Sequence, residues 1–235
     1  MELEEQKIKI RKYIIIGILS FLIILFITAL FKMASKDKIK SSNFIKQGAS
    51  YTIPGSKISS YLPIVAIKSS DTNAVNKEIE EDYNETIKSN NSSFNYQYSI
   101  SNNYFSLVTI KIAIDKDTNY TYPVFKTYNF SLNNNKLVND SELLNNFNKT
   151  SFDVSNSLEK KLKEYYKGEL TNKYLSDEEC DYECFLKLRK VDSYDEDNYL
   201  YVENNQLKFF HSFMIFSKTG EEEFYKDENF LYNVE

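Results

Sequence analysis

The hydrophobic pattern of the chain is densest near the amino terminus. The stretch from Tyr13 to Phe31 is dominated by apolar residues and contains no charged residue. A helix of this length is about 28 Å long, close to the roughly 30 Å hydrocarbon core of a bilayer. We therefore predict a transmembrane helix over 13–31, preceded by a short cytoplasmic tail over 1–12 and followed by a polar juxtamembrane linker over 32–50. The alternative is a cleaved signal peptide, whose apolar region usually spans about 7–15 residues.

Basic residues flank this segment equally on both sides. Four precede it and four follow it: Lys7, Lys9, Arg11, Lys12, then Lys32, Lys36, Lys38 and Lys40. The positive-inside rule therefore does not decide the orientation. A large domain can be translocated despite such flanking charge, so the charge pattern allows residues 51–235 to form a domain outside the cytoplasm but does not predict it.

Apolar residues spaced for helices follow in three places. One stripe recurs every fourth residue, at Val75, Ile79, Tyr83 and Ile87. It predicts a helix with Asp71 as N-cap. Leu158, Leu162 and Tyr165 predict a second helix that ends at Gly168. A third helix is predicted over 177–191.

Elsewhere the period changes to two, which is typical of strands. In residues 104–115 the apolar side chains from Val108 to Ile114 alternate with polar ones, which predicts a half-buried strand. Residues 120–132 alternate again, and the five-residue polar connection over 115–119 predicts an antiparallel hairpin. A turn at Asn133–Asn135 then leads to a helical start capped by Asp140.

Residues 61–68 predict one further short strand, and residues 199–217 a second hairpin around Asn204–Asn205. Strands and helices are mixed rather than strictly alternating. The pattern therefore predicts an α+β fold, an antiparallel sheet packed with two to three helices and preceded by one transmembrane helix.

The order of these elements resembles the extracytoplasmic domain of RsiV-like anti-sigma factors, which also occurs beside the catalytic domain of PdaC-like peptidoglycan deacetylases. The resemblance covers roughly residues 60–230. The corresponding stretches are Tyr128–Leu132, Asn133–Lys136, Asp140–Phe147, Tyr199–Val202, Asn204–Asn205 and Leu207–Phe216. It implies an extracytoplasmic sensing or binding domain whose protein ligand can be lysozyme, which is basic. The tail of about a dozen residues is too short for a sigma-binding domain, and no deacetylase domain follows, so neither effector activity is expected.

The charge of the chain limits its partners. Residues 1–32 hold five basic and three acidic residues, which leaves 24 basic and 31 acidic residues, a net charge of about −7, in residues 33–235. Nucleic-acid binding depends on basic patches, so we do not expect it here. The acidity is compatible with a basic protein ligand. Acidic surfaces also commonly serve solubility alone.

Cys180 and Cys184 are the only cysteines, and three interpretations remain open. In a continuous helix they would join Leu188 and Val191 in one buried stripe as free thiols. A disulfide is the second possibility; it needs a distorted first turn, because residues four apart on a helix are too widely separated. Metal or redox chemistry is the third, but zinc would need two further ligands from a chain with one histidine.

The remaining candidate residues favour structural roles. His211, the single histidine, lies in an apolar strand, whereas catalytic residues more often lie on loops. The acidic stretches 115–119 and 192–198 are interpreted as solvated turns. We therefore predict no enzyme activity, no metal and no cofactor. A structural or assembly component of an envelope complex is the alternative to a binding module.

Overall fold

The computed structural model describes residues 43–53, 59–89, 92–114, 121–172, 174–175, 180–188, 199–219 and 222–235. The predicted span over 13–31 and the acidic stretches 115–119 and 192–198 lie outside these ranges. Among the helices that the structure describes, none is both long and apolar enough to cross a membrane. The elements below belong to one unit, Asn43–Glu235.

The described ranges contain nine strands and four helices. The strands are β1 (Ile45–Thr52), β2 (Ser59–Val65), β3 (Phe94–Ser101), β4 (Tyr104–Ile114), β5 (Thr121–Ser131), β6 (Lys136–Val138), β7 (Leu200–Glu203), β8 (Gln206–Thr219) and β9 (Glu222–Asn233). The helices are α1 (Thr72–Lys88), α2 (Asp140–Asn146), α3 (Ser151–Thr171) and α4 (Tyr182–Leu188).

Every strand pairing in these ranges is antiparallel, and the strands form three sheets. The first sheet is β1–β2, the middle sheet is β3–β4–β5–β6, and the last sheet is β7–β8–β9. The predicted α+β class with antiparallel pairing is therefore confirmed. The helices number four rather than two to three, and strand β1 lies within the stretch predicted as a linker.

The middle sheet is buried on both of its faces. Phe105 and Leu107 of β4 belong to a core that includes α1 and the first sheet. On the other face, Ser106 is buried and Val108 packs against Tyr201 of the last sheet. The prediction of a half-buried strand is therefore wrong: the face with Thr109, which was expected to meet solvent, also carries Phe105 and Leu107 and is covered by α1 and the first sheet.

Helix α1 lies against the middle sheet through its predicted stripe. Val75, Ile79 and Tyr83 are buried, as the fourfold spacing indicates. Asp71 precedes the helix, but its side chain does not cap it; the carboxylate accepts a hydrogen bond from the Leu137 N–H at 3.1 Å. That bond holds the pKa of Asp71 below its ordinary value and ties the start of α1 to β6.

Helix α3 covers the last sheet and is longer than predicted. Thr150 and Asp153 form a capping box at its start, and Leu158 and Leu162 are buried in the core beneath it. The helix continues past Gly168 to Thr171, so the predicted stop at Gly168 is wrong. The glycine lies within the helix, and the C-cap is Asn172.

The other two helices also begin at positions that differ from the predictions. Asn139 rather than Asp140 caps α2, since its side chain accepts a hydrogen bond from the Glu142 N–H at 2.8 Å. The helix predicted over 177–191 is observed only over 182–188. Here the Asp181 carboxylate accepts from the Cys184 N–H at 2.9 Å, which fixes the first turn.

A buried polar bridge joins the middle sheet to the last sheet. Ser106 Oγ donates to Asn129 Oδ1 at 2.6 Å, and Asn129 Nδ2 donates to the Leu200 carbonyl at 2.9 Å. The Val202 N–H donates to Ser106 Oγ at 3.1 Å. Strand β7 is an edge strand of its sheet. The bridge therefore satisfies backbone groups that an edge strand would otherwise leave unpaired.

Asparagines form the left-handed positions of the described turns. Six non-glycine residues have positive φ, and all are asparagine: Asn102, Asn103, Asn135, Asn148, Asn204 and Asn205. Two consecutive positive φ values are what a two-residue hairpin turn of type I′ requires. The predicted hairpin around Asn204–Asn205 is therefore confirmed.

Two buried tyrosines predict a loss of stability at high pH. Burial, more than any nearby charge, raises the pKa values of Tyr128 and Tyr201 above the ordinary value. In the unfolded chain both hydroxyls ionise near pH 10. Stability is therefore complete below about pH 10 and falls as the pH rises, because only the unfolded state releases these protons readily.

Thermal unfolding between pH 8 and 11 measures this effect, and a midpoint that decreases above about pH 10 is expected. Phenylalanine at 128 and 201 should flatten the decrease, while Tyr61→Phe, at an exposed position, should leave it unchanged. If the thermal midpoint decreased equally with pH in the wild type, in the variant with phenylalanine at 128 and 201, and in Tyr61→Phe, the pH effect could not be assigned to Tyr128 and Tyr201.

Candidate functional site

The structure joins Cys180 and Cys184 in a disulfide with a Cα–Cα distance of 5.2 Å. The conflict between helix and disulfide does not arise, because α4 begins at Tyr182 and Cys180 precedes it. The predicted buried stripe is wrong at Leu188, which is 48% exposed. Its last member, Val191, lies outside the described residues.

Aromatic packing holds this cystine turn against α3. Tyr166 Oη donates to the Cys180 carbonyl at 3.1 Å. The Tyr166 ring lies 5.5 Å from the ring of Tyr182 and 5.3 Å from that of Phe185. The disulfide thus belongs to a structural contact between α3 and α4.

Removing the disulfide is expected to lower the free energy of unfolding by about 2 kcal/mol, because a very short loop constrains the unfolded chain only modestly. Chemical denaturation of the wild type and of the C180A/C184A variant measures the difference. A reductant should shift the wild type towards the variant and leave the variant unchanged. A loss above about 4 kcal/mol would contradict a purely local role.

A cleft of about 480 Å³ lies beside the carboxyl-terminal half of α3. We call it the α3 cleft. Its lining combines three tyrosines with charged, amide and glycine residues: Lys161, Glu164, Tyr165, Gly168, Glu169, Asn172, Tyr174 and Tyr232. Six of these positions, from 161 to the C-cap residue 172, follow the helical spacing and share one face of α3.

The tyrosines of the α3 cleft are fixed by their neighbours. The Tyr165 ring meets Phe213 edge to face at 5.1 Å, and the Tyr232 ring lies 5.4 Å from Phe209. Tyr174 follows the helix, and its N–H donates to the Glu169 carbonyl at 2.9 Å. Strand β9, the carboxyl-terminal half of α3 and the segment after it therefore supply aromatic walls.

Polar groups lie between these walls. Glu169 is only 6% exposed. Lys161 Nζ lies 2.7 Å from Glu164 Oε2, and this hydrogen bond raises the pKa of Lys161. The cleft thus presents hydrogen-bond donors and hydrogen-bond acceptors beside its aromatic surface.

Gly168 opens one side of the α3 cleft. Apart from its chain neighbours and its own helix backbone, a Cβ atom added to Gly168 would have no heavy atom of the described residues within 4 Å. No packing contact among the described residues therefore requires a glycine there. The same residue was interpreted as a helix stop, and for this reason sequence reasoning missed the cleft.

A second surface feature is the acidic character of α1. The helix carries five acidic residues and two lysines. Glu80, Glu81 and Glu85 are exposed. Glu78 pairs with Lys126 of β5, so part of the acidity is used within the fold.

The single histidine of the chain, His211, lies in β8. His211 is half-buried, opposite Phe230 in the strand register, with its ring 6.4 Å from that of Phe213. Within the described ranges, no three His, Cys, Asp or Glu residues are grouped to hold a metal ion.

Comparison with protein-family models finds no match for the chain, and no curated protein matches it. Its function therefore has to be inferred from the residues and geometry described above.

Proposed function

We propose that this chain is a single-pass, membrane-anchored binding or sensing module of the bacterial cell envelope, with its carboxyl-terminal domain outside the cytoplasm. In this proposal residues 13–31 form the anchor and the α+β domain is RsiV-like. The domain binds a basic protein such as lysozyme and carries out no catalysis.

The Cys180–Cys184 disulfide is the observation that carries the proposal. Disulfides persist mainly in oxidising environments outside the cytoplasm. A charge-free apolar stretch long enough to span a bilayer precedes the domain in the sequence. Together these two features support an anchored domain on the outer side.

The acidic surface of α1 supports the choice of a basic partner. Opposite charges steer association and contribute to specificity, whereas rim charges alone add little affinity. Exposed carboxylates on one rigid helix, at Glu80, Glu81 and Glu85, present such a charge in a fixed arrangement. Lysozyme, the ligand that the family resemblance implies, carries the complementary charge.

Thiol labelling tests the location of the domain. Intact cells are treated with a reductant and an impermeant maleimide, and labelling of Cys180 and Cys184 is expected. A C180A/C184A chain is the control for labelling of other groups. Protection that persists after reduction and denaturation of exposed proteins, but ends on membrane lysis, would contradict an outside domain.

Calorimetric titration of the full-length protein in detergent with lysozyme, at physiological and at high salt, tests the binding. We expect saturable binding at both. The E80Q/E81Q/E85Q variant should weaken it roughly tenfold. The matched variant E142Q/E159Q/E183Q removes the same number of exposed charges elsewhere, and it should change the affinity much less.

Heat that disappears at high salt would show only non-specific attraction between an acidic and a basic protein. No binding at either salt would refute the lysozyme proposal. Co-purification of a stable membrane complex would then favour a structural or assembly role in the envelope.

A further inference from the structure

We propose that the α3 cleft binds a saccharide. This activity is separate from the recognition of a basic protein, and it does not depend on the α1 surface.

The size and the rigidity of the cleft fit a small ligand. Its volume of about 480 Å³ falls within the range of roughly 300–1,000 Å³ that is typical of ligand sites. The aromatic contacts of Tyr165 and Tyr232 with the core hold two of its walls in place. A preformed site loses little side-chain entropy when a ligand binds.

The chemistry of the lining favours a sugar ring. A pyranose has apolar C–H faces and a rim of hydroxyl groups. Tyrosine offers the matching combination, an apolar ring face with a polar tip. The Asn172 amide, which has both a donor and an acceptor, can bond the hydroxyl groups of the rim. The mutual pairing of Lys161 and Glu164 makes the cleft less suited to a strongly charged ligand.

Gly168 provides the independent observation. Glycine is the least favourable residue within a helix apart from proline. At this position the backbone is helical, and a Cβ would meet no atom of the described residues beyond its chain neighbours and its own helix backbone. Neither the turn geometry nor the packing explains the glycine. Glycine also lets a ligand approach the backbone closely, which accounts for its presence beside the Tyr165 and Tyr174 rings.

The test is a calorimetric titration of the full-length protein, in a detergent without a sugar headgroup, with tri-N-acetylchitotriose. Saturable heat in the millimolar range or tighter is expected for the wild type. The Gly168→Leu variant places a good helix former into the open space and should weaken binding at least tenfold. Its thermal midpoint should not fall, so lost binding would not reflect unfolding.

Lys167→Leu is the matched control, because it adds the same side chain one position earlier, at a residue that does not line the α3 cleft. It should bind the trisaccharide as the wild type does. Tyr174→Ala should weaken binding by removing one ring, and Tyr174→Phe should restore most of it.

Three outcomes would overturn the proposal. The first is no heat with the wild type at millimolar trisaccharide. The second is equal affinity of the wild type and Gly168→Leu. The third is binding of an aromatic probe, p-cresol, with none of the sugar. Because lysozyme binding is assigned to α1, its loss in the E80Q/E81Q/E85Q variant leaves this test unaffected, and the two proposals fail separately.

Discussion

Replacing Asn129 with alanine is expected to lower the free energy of unfolding by about 3 kcal/mol. The side chain accepts from Ser106 and donates to the Leu200 carbonyl, and both partners are buried. Removing it leaves the Ser106 O–H without its acceptor and the Leu200 carbonyl without this donor, while Ser106 Oγ still accepts from the Val202 N–H. A buried polar group that loses its partner costs about 1–3 kcal/mol. Urea denaturation of the wild type and the variant measures the loss.

A double-mutant cycle with Ser106→Ala shows whether the bridge acts as a unit. The second substitution should cost less in the Asn129→Ala background than alone, because its partner is already absent. Asn146→Ala is the control, since this exposed amide donates a hydrogen bond to the Tyr104 hydroxyl at the surface, and its loss should cost less than about 1 kcal/mol. A loss at Asn129 no larger than this control would show that β7 is held by apolar packing alone.

Phe105→Ala is expected to destabilise the protein still further, by about 3–5 kcal/mol. Phe105 is fully buried, and its ring lies 6.2 Å from Phe44, 6.0 Å from Tyr98 and 6.4 Å from Phe130. Because these rings come from β3, β5 and the segment before β1, the cavity cannot be closed by a shift of one side chain. The midpoint and slope of urea denaturation provide the measurement.

Phe152→Ala is the matched control for this substitution. Phe152 is 70% exposed on the first turn of α3. Its truncation removes little buried area, so a change within about 0.5 kcal/mol is expected. Similar losses for the two phenylalanines would mean that the middle sheet is not the core described here.

The hairpin of β4 and β5 could be predicted because apolar and polar residues alternate from Val108 to Ile114 and again over much of 120–132. Burial of both faces could not be predicted from the same pattern. Thr109 of β4 and Asn129 of β5 indicate solvent-facing sides when each strand is considered alone. Only the tertiary structure shows that Thr109 is buried and that Asn129 hydrogen-bonds Ser106 and the edge of β7.

Strands β1 and β9 are difficult to recognise from the pattern of apolar and polar residues in the sequence. Strand β1 buries Ile45 but is otherwise largely polar, and its formation depends on pairing with β2. Strand β9 begins with acidic residues and pairs along the length of β8. Strand β3, by contrast, alternates Phe94, Tyr96 and Tyr98 with polar residues. A period of two was present there and could have been recognised.

The α3 cleft illustrates a different limit of sequence reasoning. Tyr165 belonged to the predicted helical stripe, but Tyr174 and Tyr232 come from separate parts of the chain and share no local pattern with it. Their proximity is a product of the last sheet packing on α3. The continued apolar spacing to Leu170 was the one available sign that Gly168 does not end the helix.

The asparagine turns have a consequence for how this gene can change. Asparagine codons begin with two adenines, whereas glycine codons begin with two guanines. A coding sequence that drifts towards adenine and thymine could therefore exchange glycine for asparagine at left-handed turns without losing the hairpins, because asparagine tolerates that conformation.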